Sequence, residues 1–108
     1  MPRERFKTLT EQMYYILLCL TTERSGAEVL EAVRDLTGGR VGIGSGTLYD
    51  LLELFAAEGM IRQTRAEGRR RSYVITDRGR EMLTREYERI RAQCADYESL
   101  FGGRSGNG

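Results

Sequence analysis

Residues 45–58, SGTLYDLLELFAAE, set Leu48, Leu51, Leu52 and Phe55 at the three-and-four spacing of an amphipathic helix. Ser45 is placed to cap its start, and Gly59 to close its end in a left-handed conformation. The face left over carries Ser45, Thr47, Tyr49 and Asp50, all in the first helical turns. A helix N-terminus favours phosphate, and its first side chains are the ones that reach base edges in a helix-turn-helix. A ribbon with an arginine-dense turn, residues 65–71, follows at once. A helix plus a basic hairpin is the layout of a winged helix-turn-helix, a fold mainly α with a small β-hairpin. The plainer reading is a helix packed on a hairpin in some unrelated small domain.

The flanking segments favour the first reading. Thr8 with Glu11, and Ser25 with Glu28, match the Ser/Thr-x-x-Glu capping box. They predict a helix over about 9–22 and a second with the stripe Ala27, Val29, Leu30, Val33 and Leu36, ended by Thr37-Gly38-Gly39. The run 13–20, MYYILLCL, is apolar nearly all round, as in a helix pinned between two surfaces. A partner subunit is the expected second surface, with Ile16 as a contact. Val41 and Ile43 in the connector 40–44 are placed to plug the core. Strands are expected at 60–65 and 69–75 around a turn at Ala66-Glu67-Gly68, with Tyr73 and Ile75 on one face.

Thr76 or Asp77 caps the last helix. Its apolar residues Leu83, Tyr87, Ile90, Cys94, Tyr97 and Phe101 alternate in steps of four and three, a heptad seam. At 1.5 Å per residue the helix reaches ~30 Å, longer than a domain this small can cover. Some of the seam must pack on its own domain. The rest predicts a homodimer held by Leu83, Tyr87, Ile90, Cys94 and Tyr97 with Ile16. The expected organisation is a DNA-binding domain over 1–76, a C-terminal dimerisation helix over 77–101 and a flexible tail over 102–108.

Composition narrows the function. The chain has 108 residues, enough for one modest core, and 40% hydrophobic with 31% charged content fits a folded protein. Net charge is only +1, so binding to nucleic acid has to rest on a local patch. Of the 17 basic residues all but Lys7 are arginine. A G+C-rich genome explains that total equally well, so position informs more than count. No apolar run approaches the ~20 residues that span a bilayer, and no export signal follows the charged residues 1–7, so a cytoplasmic protein is expected. Two cysteines and no histidine leave no zinc set, no His-based acid–base catalysis and no Ser-His or Cys-His pair. An enzyme is not expected, nor any cofactor or metal. Cys19 reads as a small core residue. Cys94 lies on the seam, where no cation is certain to activate it as a redox switch. Glu86 and Glu88 read as solvated acids of the last helix.

The stretch 65–71, RAEGRRR, is the strongest electrostatic feature, with four arginines against one acid. It suits phosphate or the minor groove as a mobile basic hairpin, or else it is a solvated turn. Strand alternation sends Arg69 and Arg71 to one side and Arg70 to the other. Tyr49 either donates to a phosphate or packs against the first helix with its hydroxyl in water. Asp50 either accepts from a cytosine amino group or faces solvent. Tyr14, Tyr15, Tyr87 and Tyr97, with Ile90 and Cys94, either line a cleft for a small aromatic effector across the dimer axis or simply fill the interface.

Five pieces in order, residues 10–20 (TEQMYYILLCL), 37–41 (TGGRV), 45–49 (SGTLY), 58–61 (EGMI) and 68–76 (GRRRSYVIT), resemble the PadR family of bacterial transcriptional regulators, over about residues 8–98. The short last helix resembles the family's small subclass. The resemblance implies a homodimeric winged helix that represses transcription and releases double-stranded DNA when an effector binds. It implies that Ser45, Thr47 and Tyr49 face the major groove and nearby phosphates, and that a wing carrying Arg69, Arg70 and Arg71 touches the backbone. Ser45 stands where members often carry Pro. Ile90 stands where some small members carry a Trp that sandwiches flat aromatic drugs. The alternative is a winged-helix protein-interaction module without DNA binding, whose partner binding would be insensitive to salt.

Overall fold

The computed structural model describes residues 8–102. In chain order they form α1 (Glu11–Cys19), β1 (Arg24–Ser25), α2 (Gly26–Thr37), α3 (Ser45–Ala57), β2 (Ile61–Glu67), β3 (Arg70–Ile75) and α4 (Asp77–Tyr97), closed by a π-helical turn, Glu98–Gly102. Residues 1–7, and the expected tail beyond Gly102, lie outside the described residues.

Local chemistry sets the helix ends. Thr10, not Thr8, caps α1: its hydroxyl accepts the Met13 N–H (3.2 Å), and the Met13 sulfur accepts the Thr10 N–H (3.4 Å). A thioether is a weak acceptor, so the reciprocal arm of this box carries less than a glutamate would. At α2 the expected box forms, with the Glu28 N–H donating to Ser25 Oγ (3.2 Å) and the Ser25 N–H to Glu28 Oε1 (2.8 Å). Gly38 ends α2 at φ 62°, a conformation costly for any residue with a Cβ. Ser45 does not cap α3. That place falls to Gly44, with no side-chain bond, which leaves Ser45 as the first helical residue.

The helices meet in one core. Ile16, Leu17 and Leu20 from the first helical segment, Val29 from α2, and Leu48, Leu52 and Phe55 from α3 are buried to within about 1%. Each contributes about 1.5–3 kcal/mol relative to an exposed side chain. Val41 plugs this core as expected, held by its N–H to the Thr37 hydroxyl (3.1 Å). Leu36, expected on the α2 stripe, is 58% exposed.

The hairpin belongs to a three-stranded antiparallel sheet, ordered β1-β3-β2. β1 pairs Arg24 with Tyr73 and Ser25 with Ser72, so β3 is central and ties the wing to the body, while β2 is the outer strand. Two residues are too few for any alternation, which hides this strand in the sequence. The turn is shorter than expected: β2 runs to Glu67, and Gly68 at φ 61° begins a two-residue loop. Glycine at the first loop position is what a type II′ hairpin turn needs. A bulge between Gln63 and Arg65 skews β2 at Thr64.

Residues 75–79 join every layer. The Ile75 N–H donates to the Leu20 carbonyl (2.8 Å), and the Thr76 N–H to the Met60 carbonyl (3.0 Å). The Thr76 hydroxyl donates to the Gly59 carbonyl (2.6 Å), and Arg78 Nε to that of Glu58 (2.8 Å). A Cβ on Gly79 would stand 2.2 Å from the Met60 oxygen, so only glycine lets α4 pack this close to the end of α3.

Beyond this junction α4 buries Met82 and Glu86 and then leaves the core. The radius of gyration, 16.1 Å, exceeds the ~13 Å of a compact domain near 100 residues. Glu86 corrects the expectation of a solvated acid, being only 3% exposed. Arg89 Nε donates to its Oε1 (3.1 Å) and Arg89 Nη2 to its Oε2, while the Leu9 N–H reaches Oε1 (3.3 Å). The Arg89 bonds, and after them the Leu9 N–H, hold the Glu86 carboxyl below its usual 4.5 against the opposing pull of burial.

Because that folded pKa is depressed, the stabilisation is present above about pH 4.5 and lost as pH falls through the folded value. Glu86→Gln should cost about 1–3 kcal/mol at pH 7, and the gap to wild type should narrow below pH 4.5 in denaturant titrations. Gly79→Ala should cost about 1–3 kcal/mol at any pH in the same titrations, because the clash is with backbone.

Candidate nucleic-acid interface

α3 presents two faces. Leu48, Leu52 and Phe55 are buried and Leu51 half-buried, so its rotation about its own axis is set by the core. Ser45, Thr47, Tyr49 and Asp50 are therefore exposed together.

Tyr49 departs from its neighbours. Its ring lies over Gly26 at the first turn of α2, where a Cβ would approach Cε1 and Oη to 2.7 Å. The ring thus helps line a cleft of about 610 Å³ between α2 and the wing, together with Arg69, Arg70, Arg71 and Tyr73.

The wing is tied to the body rather than free. Arg70 Nη2 meets Glu28 Oε2 at 3.0 Å. The Thr64 hydroxyl donates to Glu23 Oε2 (2.5 Å), and Arg65 Nε lies 3.9 Å from the same oxygen and Nη1 3.6 Å from Glu67 Oε2. Each ion pair is exposed and worth at most about 1 kcal/mol. The contacts to Glu23 and Glu28 pin the bulged strand and the turn at separate points, while Arg65–Glu67 stays within β2. Arg71 Nη1 donates to the Gly68 carbonyl (3.2 Å). Among the described residues no acid pairs with Arg69 or Arg71, so their charge faces solvent.

Glu28 does two jobs: Oε1 caps α2 and Oε2 holds Arg70. The Ser25 N–H above all, helped by Arg70, the Ser25 hydroxyl and Arg24, keeps its carboxyl below the usual range against the opposing pull of desolvation. The capping box made the first job legible in the sequence. The second required knowing that β1 brings the start of α2 alongside β3. Glu23 had no sequence signal at all.

The residues expected at a dimer interface separate into two groups. Ile16 has no exposed surface, so it serves the protomer's own core. Leu83 and Ile90 are half-buried, whereas Tyr87, Cys94 and Tyr97 are exposed. Past Tyr97 the seam loses its heptad step, because the chain widens into the π turn and stacks Phe101 edge-on against Tyr97 at 5.4 Å. Of the expected effector-pocket residues, the fold brings together Tyr14, Tyr15 and Tyr87. The Tyr14 and Tyr15 rings meet edge to face at 5.6 Å. Burial first, then the neighbouring Tyr15, Tyr87 and Glu86, pushes the Tyr14 phenol up. Tyr87 accepts a bond from Arg91 (3.4 Å), whose guanidinium sits 5.9 Å over its ring. Tyr97 lies ~15 Å further along α4, so no single protomer closes this pocket.

Among the described residues no group of three or more His, Cys, Asp or Glu is placed to hold a metal, and no helix is long and apolar enough to cross a membrane.

Three helices packed through a fixed α3, a three-stranded sheet with a projecting basic hairpin and a trailing helix define a winged helix-turn-helix protein. Residues 16–85 match the Transcriptional regulator PadR-like family, and the chain belongs to it. The family regulates transcription and is not one of enzymes. No curated protein sequence matches the chain. Among solved structures it is similar to a transcriptional regulator from Clostridium thermocellum, with a TM-score of 0.73 and 23% identity over 82% of this chain and 91% of that one. It is also similar to Bacillus subtilis PadR in complex with operator DNA, at 0.59 and 25% over 69% and 46%. PcaV from Streptomyces coelicolor in complex with its natural ligand matches at 0.68 and 20% over 86% and 63%.

If Glu23 and Glu28 hold the wing, replacing both with Gln should raise the rate of tryptic cleavage after Arg69, Arg70 and Arg71 severalfold. Cleavage at an unchanged rate would show that the sheet alone fixes the hairpin.

Proposed function

We propose that the chain is a homodimeric repressor that binds operator DNA through α3 and the wing, and that a small aromatic effector releases it. The observation that carries this reading is the common face of the fold. Tyr49, from the exposed first turns of α3, and the acid-free Arg69 and Arg71 line one cleft, in a chain whose B. subtilis relative was solved on operator DNA. Ser45 and Thr47 take the groove, Tyr49 and the wing the backbone. Selection from a random duplex pool tests this. An enriched sequence supports it, and passage of all duplex unbound at low salt leaves the protein-interaction module as the function.

α4 supports the dimer. Tyr87, Tyr97, Leu100 and Phe101 stand in water along one arm, an apolar strip that association would cover. Tyr14 and Tyr15, half-buried beside Tyr87, replace Ile16 as the contribution of α1. In a dimer the two α3 helices would address half-sites about 34 Å apart. Ile90→Glu should give monomers in sedimentation at micromolar concentration, because it buries a charge at the seam.

Tyr14, Tyr15 and Tyr87 of one protomer, completed by Ile90, Cys94 and Tyr97 of the other, form the proposed effector cleft. PcaV, with its ligand, supports such a role for the fold class. A planar aromatic that prefers the DNA-incompetent form a hundredfold shifts the balance by ~2.7 kcal/mol. Titration of planar aromatics with and without operator tests it, and binding unaffected by operator would defeat release.

Arg69, Arg70 and Arg71 supply sequence-independent affinity in this reading. The triple Ala variant should weaken selected and random duplex alike. Its log K against log salt line should flatten by ~0.9 for each phosphate that is no longer neutralised.

A further inference from the structure

Gly26 is buried although it opens a helix beside the open cleft. Its cover is Tyr49: a Cβ at position 26 would lie 2.7 Å from Cε1 and Oη of that ring and 2.8 Å from Cζ. Backbone conformation does not call for glycine here, since the positive-φ glycines are Gly38, Gly39, Gly59 and Gly68. Glycine loses more backbone freedom on folding here than alanine would. Room for the tyrosine ring is the physical reason left.

The seat decides where the ring can act. Three residues on the same helix turn carry polar groups, yet Thr47 and Ser45 face open solvent while Tyr49 is drawn back over α2. There it shares the cleft with Arg69, Arg70, Arg71 and Tyr73. Half of Tyr49 remains exposed, and the residue lines that cleft. A ring already held in place loses less freedom when it binds.

We propose that Gly26 is a positioning residue for DNA binding. It seats Tyr49 so that the phenol hydroxyl joins the wing arginines on one phosphodiester, and it separates Tyr49 from the base-edge contacts of Thr47. The inference rests on the DNA-binding reading above and assigns a role within it.

The test compares wild type, Gly26→Ala, Tyr49→Ala and the double variant. Each is measured for Tm and for affinity to selected and random duplexes across a salt series. Alanine suits a helix start, so Gly26→Ala folds with its Tyr49 ring displaced. It should weaken both duplexes about tenfold, the worth of a hydrogen bond to a charged acceptor. Its log K against log salt line should run parallel to wild type, because a neutral phenol releases no counterion, unlike the arginine variants. Tyr49→Ala should show the same loss, and the double variant no more than either alone. Gly26→Ala should raise Tm by about 4 °C in the Tyr49→Ala background, with a smaller gain or none in wild type.

Wild-type affinity in Gly26→Ala overturns the proposal. So do losses that multiply in the double variant, and so does a loss confined to the selected duplex. A wild-type protein that retains no duplex defeats the DNA-binding reading instead. The Tm coupling between positions 26 and 49 then still decides the seat, and equal Tm changes in both backgrounds overturn it.

Discussion

The approach of α4 to the end of α3, at Gly79 against the Met60 carbonyl, is the contact on which the rest of the structure depends. Around it the Leu20, Glu58, Gly59 and Met60 carbonyls are all taken by donors from residues 75, 76 and 78. These are the open ends of the first and third helical segments, whose last carbonyls have no partner within their own helix. One short stretch therefore ends two helices, the sheet's central strand and the start of α4. Burying those carbonyls unpaired would cost about 1–3 kcal/mol each, so the elements dock as a set.

From that junction the functional face follows. With α3 locked by Leu48, Leu52 and Phe55, its polar turns can point only outward. With β3 central, the hairpin can leave the body only beside α2. The wing's positive charge is then divided. Arg65 and Arg70 are engaged by Glu23 and Glu28 of the body, which orients the hairpin, while Arg69 and Arg71 keep a field unpaired by any acid among the described residues. This division suits a chain with a net charge of +1: its attraction for an anion is local and directional rather than global.

Much of this was legible in the sequence, because it rests on local rules. The three-and-four spacing of residues 48–55, the Ser25–Glu28 capping box and the heptad steps of the last helix each depend on neighbours within one or two turns. Readings failed where the deciding partner is of an unexpected kind or is distant. Thr10 outcompetes Thr8 because Met13 supplies the return bond. Glu86 looked like a surface acid because Arg89, one turn on, is an ordinary surface neighbour, and only the fold brings the N–H of Leu9, far away in the chain, to its carboxylate. Ile16 sits in an all-round apolar run that cannot say which of its sides meets the core and which meets water.

By itself the sequence determined the four helices, the exposed polar turn of the central one, the basic hairpin and the family, since periodicity, caps and motifs are properties of neighbouring residues. Tertiary structure alone decided that the wing is latched by Glu23 and Glu28, that Glu86 is a buried tie and that Gly26 is the floor under Tyr49. Each of these depends on groups from different elements meeting within a few ångströms, and such a meeting is set by packing, not by spacing along the chain.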